Sequence, residues 1–123
     1  MKTFTLDEAN ALVPLVSELV DEMAQVRAKI VSSGGTLEPV LRQAGGNGGG
    51  KAGSAYALLL QHFNACLATI QEWGVELKDL DSGLVDFPSY REGRIVYLCW
   101  KRGEVKIEFW HDIETGYAGR QPI

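Results

Sequence analysis

The first quarter of the chain carries apolar residues at alternating steps of three and four positions. This spacing places them on one face of an α-helix and is typical of the seam along which two helices pack. Thr5 and Glu8 have the spacing of a capping box, in which each side chain accepts a hydrogen bond from the other residue's backbone amide. The pattern predicts a helix over residues 5–32. Its seam consists of Ala9, Leu12, Val16, Leu19, Met23, Val26 and Ile30.

A second helical pattern occupies residues 54–73. Between the two patterns, residues 33–53 contain eight of the fourteen glycines. Such a composition buries too little apolar surface to offset the entropy of ordering it, so it predicts a flexible loop. Two helices joined in this way predict a long antiparallel, coiled-coil-like helical hairpin. The second seam consists of Leu59, Phe63, Cys66, Ile70 and Trp73.

Both predicted helices carry more apolar surface than one partner helix would cover. Tyr56, Leu60 and Leu67 lie beside the second seam. An uncovered apolar remainder of this kind is typical of an interaction surface. We therefore expect a homodimer, in which a second copy of the chain covers the helices. The predicted interface consists of Leu19, Met23, Val26, Tyr56, Leu60 and Ile70.

Residues 83–123 predict a small antiparallel β-sheet. β-branched and aromatic residues alternate there with polar ones, and turn-forming residues separate the runs. A two-residue turn at Arg102 and Gly103 would place Arg94 opposite His111, on the face that packs against the helices. The predicted strands cover residues 84–87, 94–101 and 104–112.

The length of 123 residues suits one domain with its own core. We therefore predict a single domain, residues 1–123, of the α+β class. In it the long antiparallel helical hairpin packs on the small antiparallel β-sheet.

Composition narrows the function classes. The formal net charge of −4 and the absence of a lysine or arginine cluster argue against nucleic-acid binding. No apolar run approaches the roughly 18 residues of a membrane span, and acidic residues interrupt any signal-peptide core. Cys66 and Cys99 lack CxxC spacing and are interpreted as buried free thiols. We expect a cytoplasmic protein without a cofactor.

Asp86 is the sharpest candidate for chemistry because it interrupts an otherwise apolar strand. A buried carboxylate needs a partner, and Arg94, Arg120 or His111 could supply one. In a structural interpretation, His111 only hydrogen-bonds a carboxylate and closes the end of the core. In a functional interpretation, Asp86 and His111 are catalytic groups or metal ligands, and Arg94 or Arg120 binds an anion. We expect no metal site; its ligands, if one exists, would be Asp86 and His111.

Two further features were considered as sites. In the predicted register, Trp110 lies with Tyr97 and Cys99 on the solvent-facing side of the strands. That side is more apolar than a solvent-exposed sheet face usually is, so these residues are a candidate binding surface. His62 has Cys66 one helical turn later. Since a single histidine–cysteine pair is not a metal site, His62 is interpreted as a histidine at the boundary of the helical seam.

Several segments together carry a resemblance to a known family. Residues 4–10 read Phe-Thr-Leu-Asp-Glu-Ala-Asn, and residues 74–88 read Gly-Val-Glu-Leu-Lys-Asp-Leu-Asp-Ser-Gly-Leu-Val-Asp-Phe-Pro. This pattern resembles the largely bacterial family named domain of unknown function 2203. The resemblance implies that both ends of the chain belong to one domain, and it implies no activity. Near the C-terminus it is carried by Leu98-Cys99-Trp100, Gly103-Glu104, Trp110-His111, Gly116 and residues 119–122.

The sequence shows no activated nucleophile, cofactor loop or clustered ligand set. It therefore favours a self-associating protein-interaction or scaffold module over an enzyme. The alternative is a small enzyme, or a metal- or anion-binding protein, with its site at Asp86, His111, Arg94 and Arg120.

Overall fold

The computed structural model describes residues 2–36 and 54–123, and within them the predicted helices are present. Helix α1 spans Leu6–Ser32 and helix α2 spans Ser54–Glu72. The predicted capping box starts α1: the Thr5 amide donates to Glu8 Oε1 at 2.9 Å, and the Glu8 amide donates to Thr5 Oγ1 at 3.1 Å. Of the predicted loop, residues 33–34 form a turn after α1, residues 35–36 continue without regular secondary structure, and residues 37–53 lie outside the described residues.

The two helices pack on each other along the predicted seams. This packing divides the residues predicted as a dimer interface. Met23, Val26 and Ile70 are buried in the core of the protomer, so they are not available to a second copy. Only the remaining three, Leu19, Tyr56 and Leu60, are partly exposed.

The sheet is an antiparallel meander in which each strand pairs with the next along the chain. The α+β prediction is confirmed, although two short edge strands, the first and the last, were not predicted. The strands are β1 (Glu76–Asp79), β2 (Leu84–Arg91), β3 (Arg94–Lys101), β4 (Phe109–Asp112) and β5 (Gln121–Pro122).

Strand β2 is longer than the predicted residues 84–87 because Pro88 does not end it. Pro88 lacks a backbone N–H, but its nitrogen points away from β3, because bonded pairs alternate from Arg91 and Arg94 at the turn and Pro88 with Tyr97 is not one of them. On the other side, β1 pairs with β2 only as far as Asp86, so no ladder bond is lost at Pro88. Its carbonyl accepts instead from the Phe4 amide at 2.7 Å. The strand then continues to a two-residue turn at Glu92 and Gly93, both with positive φ (52° and 82°). Such turns match the twist of a hairpin.

The predicted register between β3 and β4 is wrong. His111 pairs with Tyr97 and not with Arg94, a shift of three residues along β3. An odd shift reverses which face each β4 side chain occupies, so His111 points away from the helices and Trp110 packs toward them. Arg94 instead bonds Asp112, from its Nε to Oδ1 at 2.9 Å.

The predicted turn at Arg102 and Gly103 is present, closed by the Glu104 amide, which donates to the Lys101 carbonyl at 2.9 Å. The register changes because residues 104–108 form a loop after this turn and do not pair with β3. Trp100 Nε1 donates to the Glu104 carbonyl at 2.8 Å, which holds the start of the loop. The Ile107 amide donates to Asn10 Oδ1 on α1 at 2.7 Å, and the Ile107 side chain is buried. The loop therefore docks on the helix, and β4 begins only at Phe109.

The sheet has two buried faces of different character. The face toward the helices is apolar and completes the core. The opposite face carries Asp86, Tyr97, Cys99 and His111, all buried. Among the residues that the structure describes, no helix combines the length and apolar character needed to cross a membrane. The apolar face consists of Val85, Phe87, Val96, Leu98, Trp100 and Trp110.

Candidate metal centre

Three neighbouring strands each contribute one metal-ligating side chain to the face away from the helices. Asp86 on β2 is directly paired with Cys99 on β3, and His111 on β4 is paired with Tyr97, two residues before Cys99. Residues two apart in a strand share a face, so the three side chains converge. Their exposed fractions are 2%, 0% and 2% for Asp86, Cys99 and His111. A cluster this deeply buried must satisfy its polar atoms internally.

The hydrogen bonds of His111 define its protonation pattern. Nδ1 lies 2.8 Å from the backbone carbonyl of Asp112. A carbonyl oxygen only accepts, so Nδ1 carries the hydrogen, and the neutral ring then has an unprotonated Nε2. Nε2 lies 3.0 Å from Asp86 Oδ1. An imidazole lone pair and a carboxylate lone pair at this distance repel each other unless a proton or a cation lies between them.

Burial disfavours the charged forms of the other two groups. Burial, together with the nearby charge of Asp86, raises the pKa of the Cys99 thiol to about 12. Burial also raises the pKa of Asp86 above its ordinary value, against the opposing effect of His111. The Cys99 thiol therefore keeps its proton at neutral pH unless a cation replaces it.

The three donor atoms are spaced for metal ligation. One carboxylate oxygen, one thiol sulfur and one imidazole nitrogen lie within 4.8 Å of one another. Zinc bonds of about 2.0–2.3 Å in a tetrahedron separate the ligand atoms by roughly 3.3–3.6 Å. Small side-chain movements would bring the three atoms to that spacing. The mixed oxygen, sulfur and nitrogen set suits zinc and similar borderline ions better than calcium or magnesium, which prefer oxygen.

Charged side chains flank the cluster on both sides. On one side, Tyr97 Oη donates to both carboxylate oxygens of Glu76 at 3.1 Å, and Lys78 Nζ lies 2.8 Å from Glu76 Oε1. On the other side, Arg120 donates from Nη2 to both oxygens of Glu104 at 2.9 Å. These pairs position charges next to the cluster without entering it.

The chain matches the family described as "Uncharacterized conserved protein (DUF2203)" over residues 2–123. The chain belongs to the DUF2203 family. Neither the search of curated proteins nor the search of solved structures finds a match. The match spans the helices and every strand, so it supports the resemblance carried by both ends of the chain. For this DUF2203 chain, the function must be argued from the residues that the fold brings together.

The fold brings together only part of the predicted site. Asp86 contacts His111, which was one of the three partners predicted for it. Arg120 reaches the same face but pairs with Glu104 and stacks 4.2 Å from the Phe109 ring centre. Arg94 is on the helix side of the sheet, where its guanidinium lies 5.9 Å from the ring centre of Trp110.

Sequence reasoning missed Cys99 as a member of the site. A buried cysteine among apolar residues looks like an ordinary core residue, and Cys99 is indeed free and buried. The signal that identifies it is the turn at Glu92 and Gly93. A two-residue turn there requires Arg91 to face Arg94, and counting back along both strands places Asp86 opposite Cys99.

The cluster lacks two requirements of a cysteine nucleophile. A reactive thiol needs a lowered pKa and access to substrate, whereas Cys99 is fully buried with a raised pKa. In a catalytic pair, one histidine nitrogen activates the nucleophile and the other is oriented by a third group. Here His111 Nε2 faces Asp86 Oδ1 at 3.0 Å, and so it is not directed at the thiol as an activating base. Among these residues, the geometry favours ligation over nucleophilic catalysis.

Proposed function

We propose that this DUF2203 protein binds a zinc-class divalent ion through Asp86, Cys99 and His111. One observation carries the proposal: Nδ1 of His111 bonds a carbonyl, and Nε2 lies 3.0 Å from Asp86 Oδ1, a contact that needs a proton or a cation between the two atoms. A metal-bound histidine commonly donates its other ring N–H to a carbonyl or carboxylate, as His111 does to Asp112. The arrangement is that of a ligand with its supporting contact already made.

The surrounding charge supports a divalent cation. Asp86, Glu76 and Glu104 are acidic, and Lys78 and Arg120 are basic, which leaves one net negative charge around the cluster. Metal binding converts a thiol to a thiolate, which adds a second negative charge. An ion of charge +2 would balance both.

The position of the cluster indicates what the ion would do. Its three ligands belong to three consecutive strands and are closed off from solvent. A bound ion would therefore have a structural role and hold the three strands together, because a substrate could not reach an ion in a closed site. Ligation also requires a reduced Cys99, which suits the reducing cytoplasm that we propose as the protein's location.

Metal quantification on the full chain tests the proposal. The protein is loaded with Zn²⁺, dialysed, and analysed for metal per chain. We expect Asp86→Asn and Cys99→Ser each to lose one equivalent relative to the unsubstituted chain. The matched control is Asp112→Asn, which removes a carboxylate next to His111 but keeps the carbonyl that bonds Nδ1.

Circular dichroism keeps this test interpretable. A variant that has lost its metal but keeps the native spectrum has lost a ligand and not its fold. Equal zinc content in the unsubstituted chain, Asp86→Asn and Cys99→Ser would refute the site. A chain that retains no zinc would also refute it, and the cluster would then be a proton-sharing structural network.

Self-association as a homodimer is the second candidate function. Its support is apolar side chains on the helices that neither the partner helix nor the sheet covers: Leu15 is 50% exposed and Leu58 is 65% exposed. Leu19, Tyr56 and Leu60 add partly exposed surface. Such a surface suits a protein partner, and a second copy of the chain offers a matching one.

Light scattering on the eluting protein tests the homodimer. We expect a dimer mass for the unsubstituted chain and a monomer mass for Leu15→Lys with Leu58→Lys. Val105→Lys is the matched control, because Val105 is equally apolar and 93% exposed but lies in the loop between β3 and β4. A monomer mass for the unsubstituted chain at high concentration would contradict self-association.

A further inference from the structure

A second group of metal-ligating side chains lies on the two helices, on elements different from those of the strand cluster. His62 and Cys66 are one turn apart on α2, so they project from the same helix face. Glu22 on α1 lies across from them and its carboxylate contacts His62 Nε2. One donor atom from each of the three residues lies within 4.8 Å of the other two.

Cys66 separates this group from an ordinary surface ion pair. Its side chain is only 5% exposed, and no hydrogen bond to it is found among the described residues. Its sulfur nevertheless lies within 4.8 Å of a donor atom of Glu22 and of His62, whose side chains are each 46% exposed. A buried, unpartnered thiol thus forms the floor of a site whose other two groups are open to solvent.

The neighbouring side chains do not oppose a cation. On a helix, the residues three and four positions away are the nearest neighbours on the same face. None of these neighbours of Glu22 or His62 is a lysine or arginine. They are Glu18, Leu19, Gln25 and Val26 on α1, and Leu58, Leu59, Ala65 and Cys66 on α2.

We propose that Glu22, His62 and Cys66 form a second binding site for a zinc-class divalent ion, with one coordination position open to solvent. One carboxylate, one imidazole and one thiolate are a borderline ligand set that suits zinc, cobalt or nickel. The exposed side chains of Glu22 and His62 are free to rotate toward the roughly 3.3–3.6 Å ligand spacing of a tetrahedral ion. Water fills the fourth position, as in sites that exchange a ligand.

This site is independent of the strand cluster. Its residues lie on α1 and α2, whereas Asp86, Cys99 and His111 lie on the far face of the sheet. The two sites also differ in access, because the strand cluster is closed and the helical site is open. The helical site should therefore exchange its ion faster and be stripped first by a chelator.

Titration with Co²⁺ tests the helical site, because thiolate ligation gives cobalt a distinct absorption band. We use the full chain with Cys99→Ser, in which Cys66 is the only thiol left. We expect one Co²⁺ per chain with a thiolate band. Adding His62→Ala should abolish the band and the bound equivalent. Adding Gln61→Ala, an exposed neighbour outside the group, should leave both unchanged.

Single substitutions in the otherwise unaltered chain separate this proposal from the proposed function. If the unsubstituted chain binds two metal ions and His62→Ala binds one, the result supports the helical site. Metal content that is unchanged by His62→Ala but reduced by Cys99→Ser overturns the helical site and leaves the strand site standing. The reverse result overturns the strand site alone. His62 is half-exposed, so its replacement should leave the fold intact, which circular dichroism verifies.

Discussion

Two aspartates of the sheet, Asp86 and Asp112, show how placement decides what a residue contributes. Asp112 is partly exposed and pairs with Arg94, which is also exposed. Such surface pairs contribute little to stability because water screens them. Asp86 is buried, and His111 and Cys99 are its hydrogen-bonding partners. Loss of the Asp86 carboxyl would leave His111 Nε2 buried without a partner, which is expensive in free energy.

The first prediction compares these two positions. Asp86→Ala should lower the free energy of unfolding by about 2–3 kcal/mol, as expected when a buried polar partner is removed. Asp112→Ala should lower it by less than about 1 kcal/mol. Urea denaturation with a chelator present measures both without a contribution from metal. Equal losses at the two positions would contradict the structural account of Asp86.

The members of the strand cluster differ in how visible they are in the sequence. Asp86 could be identified from the sequence because a charge within an apolar strand is anomalous in any register. Cys99 could not, because a buried cysteine is ordinary and only the strand pairing gives it partners. Glu22 was missed for the same reason. His62 and Cys66 are close in sequence, but Glu22 joins them only through the packing of α1 on α2.

At the scale of elements, the turn at Glu92 and Gly93 controls the site. It sets the pairing that brings Asp86 opposite Cys99. Both turn residues have positive φ, which glycine adopts freely, whereas a glutamate does so at some cost. Asn-Gly is the preferred pair for this kind of turn. The first residue of the turn, Glu92, is therefore less favourable than asparagine would be, whereas the second, Gly93, suits its conformation.

The second prediction follows from the turn. Glu92→Asn should stabilise the protein by about 0.5–1 kcal/mol, because asparagine tolerates positive φ better than glutamate. Gly93→Ala should destabilise it by about 1 kcal/mol or more, because alanine disfavours a φ of 82°. Thermal unfolding measures both shifts. Opposite signs are expected, and a stabilising Gly93→Ala would show that the turn does not hold this conformation.

The loop between β3 and β4 explains why the sheet was only partly predicted. Helix boundaries follow from local signals, namely the Thr5 cap and the spacing of apolar residues. The β3–β4 register depends on a contact between residues 10 and 107, from opposite ends of the chain. The tight turn predicted at Arg102 and Gly103 forms, but because Ile107 docks on α1, the chain after the turn does not pair with β3 until Phe109. Edge strands of two to four residues carry too short a pattern to be recognised.

The third prediction concerns that contact. Asn10→Ala removes the acceptor of the hydrogen bond from the Ile107 amide. The Ile107 side chain is buried, so water has little access to that amide. An unpartnered, partly buried amide should cost about 1–2 kcal/mol of unfolding free energy. Asn64→Ala, at an exposed position on α2, should cost less than about 0.5 kcal/mol. If the two variants are equally stable, the loop is not held by Asn10.

At the scale of the whole molecule, the sheet is a boundary between two kinds of interior. On one side, apolar side chains from the helices and strands form a continuous core. On the other, strands β2, β3 and β4 bury a polar cluster covered by ion pairs of Glu76 with Lys78 and of Glu104 with Arg120. The apolar side stabilises the fold by burying apolar surface, whereas the polar side gains most when its charges are balanced.

The fourth prediction is that zinc stabilises the folded chain through the strand cluster. An ion that binds only the folded state, at about 100 times its dissociation constant, adds about 2.7 kcal/mol, or about 10 °C in Tm for a domain of this size. His62→Ala provides the background without the helical site. Zinc should raise the Tm of that variant, and of its Asp112→Asn derivative, but not that of its Cys99→Ser derivative. An equal rise in all three would mean that zinc stabilises the protein elsewhere, and the strands would then be held together by their hydrogen bonds alone.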